Sequence, residues 1–229
     1  MSVQTLQAIE VEKPIPKQIP DYLIYEVSRG KPIYYKGYKD VLNGTKTFEE
    51  IMADSTLQGW LKTRFGIKMA PSLEEKGYDI IVGELGIMMP EQGKRAADVA
   101  IFKLERLTLN RHYSQVSPDI AIEIDVQADT EDIGEMKYIQ EKITEYLESG
   151  VEKVIWIFTE AKVFIKAEKG KQQTIHDWNE DVEVLPGVSF NLVNMLEQWR
   201  KRQQEFPAFY SQMRLPLILR TARLVYGIP

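Results

Sequence analysis

From Pro118 to Val126 the chain reads Pro-Asp-Ile-Ala-Ile-Glu-Ile-Asp-Val, and no other stretch narrows the possible folds as far. Side chains of a β-strand alternate between its two faces. Ile120, Ile122, Ile124 and Val126 therefore share one side, and Asp119, Ala121, Glu123 and Asp125 the other. The flanking elements should bury this strand. Carboxylates gathered away from water repel one another and lose hydration, and a bound divalent cation is one way to offset that cost. The ordinary alternative is an edge strand whose acidic side faces solvent. Asp98 weighs against that alternative. It opens a second apolar strand, Asp98–Phe102, which the intervening loop can return to pair with residues 119–126, bringing Asp98 near Glu123.

The residues that follow restrict the topology. Ile133, Met136, Ile139, Ile143 and Leu147 recur at intervals of three and four, with Gly150 just beyond, which predicts an amphipathic helix over 131–149. Val151–Phe158 is then a dense apolar strand. Strand, helix and strand in this order predict a parallel pair. Upstream, Asp21–Val27 and Lys31–Tyr35 read as strands around Gly30, and Thr47 caps a helix carrying Ile51, Leu57, Leu61 and Phe65 that Gly66 closes. Tyr78–Val82 and Leu85–Met89 read as two further strands, and residues 104–117 as an irregular connection. Short strands at 162–167, 173–176 and 182–184, a turn at Pro186-Gly187 and a helix over 191–206 complete the body.

The fold class is α/β, in three parts: an N-terminal arm (1–20) rich in proline, a body (21–195) and a C-terminal helical extension (196–229). The tail from Pro207 onward mixes apolar and basic residues as a further helix would, packed on the body or on a second copy in a homodimer.

Composition limits the chemistry. With no cysteine and two histidines, neither a disulfide framework nor a cysteine-based zinc site is available, so a metal must sit mainly on carboxylates, which suit Mg²⁺, Mn²⁺ or Ca²⁺. A net charge of -5 argues against a dedicated nucleic-acid-binding protein without excluding a nuclease. Basic residues do cluster at Lys94 and Arg95, at Lys103, Arg106 and Arg111, and at Arg200, Lys201 and Arg202, although each cluster alone reads as ordinary solvated surface. No signal sequence opens the chain and no apolar run approaches the ~20 residues that span a bilayer, so the expectation is a cytoplasmic protein without a membrane partner.

The order of a helix, strands, "RAADVAIF", a loop, "SPDIAIEIDV" and then "EKITEYLESGVEKVIWIF" resembles the restriction-endonuclease family called Uma-type, a branch of the PD-(D/E)XK nuclease superfamily. "LPGVSFNL" fits the closing pattern of the same family, and the resemblance spans residues 21–195. It implies a restriction-endonuclease-like mixed central sheet flanked by helices. It also implies a metal-dependent endonuclease that hydrolyses DNA phosphodiester bonds, with Mg²⁺ or Mn²⁺ held by Asp98, Glu123 and the main-chain carbonyl of Ile124.

The superfamily's lysine two positions after the glutamate is absent, because position 125 is Asp; in the resembling family a lysine at the position of Lys142 takes its place. Lys137, on the other edge of the helix, is the weaker candidate. The ordinary reading of Lys142 is a surface lysine that borders the apolar stripe. The superfamily also draws an acid from its first helix, where Glu50 and Asp54 stand, although both also read as acids favourable to a helix dipole. Asp119, Asp125 and Glu84 complete the candidates, and Ala97 stands where the family has proline. A catalytically silent relative that binds nucleic acid or a protein partner is the alternative function.

Overall fold

The computed structural model describes residues 18–212, so the expectations for most of the N-terminal arm and for the end of the tail lie outside the described residues. The chain forms two compact units, one ending at His176 and the other beginning at Asp177.

The first unit opens with a hairpin, β1 (Ile24–Ser28) and β2 (Lys31–Tyr34), turned by Arg29 and Gly30 at positive φ. A short helix that the sequence did not announce, α1 (Tyr38–Asn43), follows between Gly37 and Gly44. The single helix expected from Thr47 to Gly66 is instead two, α2 (Phe48–Met52) and α3 (Thr56–Glu74). Each has its own capping box: Thr47 with Glu50, and Ser55 with Gln58. Ala53 between them is extended. Gly66 does not end α3. A β-carbon there would stand 3.1 Å from Val82 Cγ2, so this glycine permits a close approach of helix to strand rather than a stop.

The two strands expected around Glu84 are one, β3 (Tyr78–Met89), with a bulge between Val82 and Leu85 and Gly83 at φ 125°. It pairs antiparallel with β4 (Gly93–Lys103). β5 (Ile120–Ile124) lies antiparallel to β4, and after α4 (Glu135–Glu148) the chain returns as β6 (Lys153–Phe158), parallel to β5 as predicted. With β7 (Val163–Glu168) and β8 (Thr174–Asp177) these form an eight-stranded mixed sheet in the order β2-β1-β4-β5-β6-β7-β8, with β3 also on β4.

β5 is a central strand with all five residues buried, which removes the edge-strand alternative. One face of the sheet, with Ala100, Phe102, Ala121, Val154, Trp156 and Ile165, packs in one core with Tyr138, Ile139, Ile143 and Tyr146 of α4. The expected apolar stripe was misplaced at its start: Ile133 precedes the helix and Met136 is 54% exposed. The true inner face includes Lys142 and Glu145. α3 lies along β3 through its own buried row, Leu61, Phe65, Met69 and Leu73.

The second unit holds a hairpin, β9 (Val182–Leu185) and β10 (Val188–Phe190), turned at Pro186-Gly187, and the helix α5 (Leu192–Gln212). Where the sequence suggested a helix ending at residue 206 and another after it, α5 runs on without interruption to Gln212.

The start of α3 is pinned by one side chain. Gln58 accepts from Ser55 N–H at 2.9 Å and donates to the Ile124 carbonyl at 3.2 Å. Ser55→Ala should lower unfolding free energy by about 1 kcal/mol through the lost cap, and Gln58→Ala by about 2 kcal/mol, because it also strips a buried carbonyl of its donor. Urea unfolding of both variants checks this, and equal losses would mean that the link to Ile124 contributes nothing.

Candidate metal centre

The β4–β5 register pairs Ile101 with Ile120, Ala100 with Ala121 and Val99 with Ile122. One further step sets Asp98 opposite Glu123, on the same face of the two central strands, and both are buried. Every carboxylate oxygen of this pair already has a donor. Asp98 Oδ2 accepts from Ile124 N–H at 2.7 Å, and its Oδ1 lies 2.6 Å from Lys62 Nζ. Glu123 Oε2 accepts from Lys142 at 3.0 Å, and its Oε1 from the Tyr146 hydroxyl at 2.8 Å.

Lys142 is not a surface lysine. It is 1% exposed, and its three N–H bonds have three acceptors: Glu123 Oε2, Glu26 Oε1 at 2.8 Å and the Ala96 carbonyl at 2.9 Å. The rings of Tyr25, Tyr146 and Trp156 surround the ammonium at 5.9, 5.7 and 5.4 Å, within cation–π range. Behind it Glu26 accepts from Arg95 Nη1 at 2.7 Å, from the Tyr138 hydroxyl at 2.7 Å and from Ala96 N–H at 3.0 Å. Arg95, which the sequence placed in a surface cluster, is buried and also holds Glu145 at 2.8 Å.

A second group adjoins the first on Asp98. The bulge in β3 carries Glu84, the α2–α3 connection carries Asp54, and one oxygen each of Asp54, Glu84 and Asp98 lies within 4.8 Å of the other two. Lys62 of α3 sits among them, 2.8 Å from Asp54 Oδ1 and 3.3 Å from Glu84 Oε1. Burial alone would lower the Lys62 pKa, but Asp98, Asp54 and Glu84 outweigh it and push it up. Convergent carboxylate oxygens with a positive group already seated between them fit a hard divalent cation, since the donor type is right and the position tolerates positive charge.

The other candidates are engaged elsewhere. Glu50 closes the α2 capping box. Asp119 precedes β5 and binds Lys103 N–H at 2.8 Å and Arg106 at 2.6 Å. Asp125 has a left-handed backbone, φ 58°, and accepts from Thr159 N–H and Oγ1, both at 2.7 Å, so the alternation of the strand ends at Ile124. Lys137 is exposed and faces Glu141 at 3.9 Å. The sequence reading passed over Lys62, Glu26 and Tyr146, and took Arg95 for ordinary surface. Lys62 left a signal: it falls in the row Gln58, Leu61, Lys62, Phe65, Met69, where a charge on a buried helical stripe needs a partner.

Burial raises the Glu26 carboxyl, but Lys142, Arg95 and the Ala96 N–H overcome this and hold it at about 2. Burial also raises Glu123; Lys142 opposes this, but Asp98 and Glu26 add to it, and the carboxyl is pushed up to about 8. The two act on stability with opposite signs. A depressed acid stabilises above its unfolded pKa near 4.5 and loses that contribution as pH falls toward 2; a raised one costs stability as pH rises from 4.5 to 8. Stability should therefore peak on the acid side of neutrality. In urea unfolding at several pH values, Glu123→Gln is expected to flatten the loss between pH 5 and 8, and Glu26→Gln to flatten the acid limb, each range following from those pKa shifts. Unchanged pH profiles would refute the assignment.

Among the described residues no helix is long and apolar enough to cross a membrane. No curated protein matches the chain. A crystal structure from Anabaena variabilis ATCC 29413, described as "a putative nuclease belonging to DUF820", is similar in fold at a TM-score of 0.58, covering 75% of this chain and 89% of that one at 11% identity. The family profile described as "Uma2: Putative restriction endonuclease" matches residues 47–200, from the α2 capping box into α5 and including Asp54, Lys62, Glu84, Asp98, Glu123 and Lys142. The chain belongs to the Uma2 restriction-endonuclease family.

Proposed function

We propose that this protein is a metal-dependent nuclease that hydrolyses phosphodiester bonds of DNA at the site around Asp98 and Glu123. The observation that carries this reading is a pair of buried carboxylates facing one another across two central strands, with Asp54 and Glu84 converging on the first. So costly an arrangement has a use in holding a cation. Mg²⁺ or Mn²⁺ would be held by Asp98, with Glu123, Glu84, Asp54 and the Ile124 carbonyl as the further oxygen donors within the site. When bound, such an ion lowers the pKa of a water and neutralises charge on the phosphodiester.

The chain's own residues orient this site. Tyr146 and Lys142 grip one Glu123 oxygen each, Gln58 fixes the Ile124 carbonyl, and Glu26 with Arg95 fixes Lys142. With its three hydrogens taken, Lys142 acts by holding Glu123 and by placing positive charge on that side. In the hydrolysis a water oxygen bonds to phosphorus as one P–O ester bond breaks, and the leaving oxygen takes up a proton.

A second reading, a nuclease-fold binding module without catalysis, has two observations in its favour. Lysine is absent at position 125, and both buried ammonium groups are fully engaged by carboxylates and a carbonyl. Plasmid cleavage by the full chain with Mg²⁺ or Mn²⁺ separates the two. Asp98→Asn and Glu123→Gln are expected to reduce cleavage by roughly 10² to 10⁴, Lys142→Met to do likewise, and Lys137→Ala to leave it unchanged. Absence of cleavage of DNA and RNA by the unaltered protein, with either ion, would give the second reading the field.

A further inference from the structure

Lys62 and Lys142 are built alike and placed differently. Each ammonium has three acceptors, and each side chain is almost wholly buried, at 5% and 1% exposure. The partners of Lys142 are themselves locked, since Glu26 is gripped by Arg95, Tyr138 and Ala96 N–H, and Glu123 by Tyr146. Of the three partners of Lys62, Asp98 is buried and held by Ile124 N–H, but Asp54 and Glu84 are only half enclosed, their side chains 32% and 41% exposed. Lys142 has nowhere to go. Lys62 has solvent within reach of a four-carbon stem.

The acids around Lys62 are also the ones whose oxygens converge within 4.8 Å. The Lys62 ammonium lies 2.8, 3.3 and 2.6 Å from an oxygen of Asp54, Glu84 and Asp98, so a divalent ion bound to the same three acids would compete for the place it holds. We infer that Lys62 is a resident cation that a divalent ion must displace, so that this lysine sets the metal affinity of the centre. The inference rests on the metal-dependent reading and adds a competitor to it. It gives the site two states: Lys62 seated among the three carboxylates, or the ion seated there with Lys62 swung toward solvent.

Two measurements on the full chain test this. Mn²⁺ is titrated by calorimetry into the unaltered protein and into Lys62→Met, whose side chain keeps the length and loses the charge. The variant should bind Mn²⁺ more tightly, by a factor on the order of ten or more, because the ion no longer competes with an internal cation. In parallel, lysine acylation of the unaltered protein is followed by mass spectrometry with and without Mn²⁺. Lys62 should be protected without the ion and labelled several-fold faster as Mn²⁺ saturates, while Lys142 stays protected throughout.

Mn²⁺ binding to Lys62→Met but not to the unaltered protein would mean that no ion displaces Lys62, and would overturn the inference together with the metal-dependent reading. Mn²⁺ binding with Lys62 still protected would overturn the inference and leave the metal-dependent reading standing. That result would reduce any gain in the variant to a through-space effect of the lost charge. Mn²⁺ binding to neither protein would remove both. Should Lys62→Met fail to fold, the labelling experiment decides alone.

Discussion

The ammonium of Lys142, bonded at once to Glu26 and Glu123, ties together three parts of the fold that are distant in sequence: β1, β5 and α4. Arg95 extends the tie from β4, joining Glu26 to Glu145. Charges this deep are costly to bring out of water, and removing one partner of such a pair typically costs about 3–5 kcal/mol because the other is left uncompensated. The arrangement is therefore all or nothing. Its charges meet only when β1, β4, β5 and α4 come together, and Arg95 Nη2 is still left without a hydrogen-bond partner. Glu123 is held there through two donors, and any ligand it holds is positioned by the same network.

How much of this could be read from the chain depended on whether a signal was local. The order β5, α4, β6 was legible because alternation, a 3.6-residue stripe and a dense apolar run each announce one element and their order leaves one handed connection, although the alternation ends at Ile124 and the stripe begins after Met136. Asp98 and Glu123 were legible as a pair for the same reason. The break between α2 and α3 was not. Ser55 and Gln58 form a second capping box a few residues after the first, and the apolar spacing hides it. Gly66 misled in the opposite sense, because glycine marks both helix ends and close contacts, and only the neighbouring strand tells which.

The misreading of the basic residues has a common cause. Arg95 and Lys62 were taken as surface or ignored, since a single charged residue in a sequence carries no sign of its partner. Glu26 is 69 positions from Arg95, and Glu145 is 50. Long-range ion pairs become visible only once the sheet has brought β1 beside β4. Lys142 was singled out through family resemblance, and its burial turned it from a group that could reach a water into one committed to holding a carboxylate.

The left-handed backbone of Asp125 limits what position 125 can present to Glu123. A side chain two residues after the glutamate leaves the same face of the sheet only if the strand continues that far. Here the chain has already turned, and Thr159 fastens the turn with two hydrogen bonds. Restoring the missing residue type would put a long side chain on a backbone favoured by Asp and Asn and disfavoured by Lys, pointing along a different path. Placing a lysine beside Glu123 from position 125 is thus a problem of strand length rather than of spelling, and the ammonium groups near the two carboxylates come instead from the helices α3 and α4.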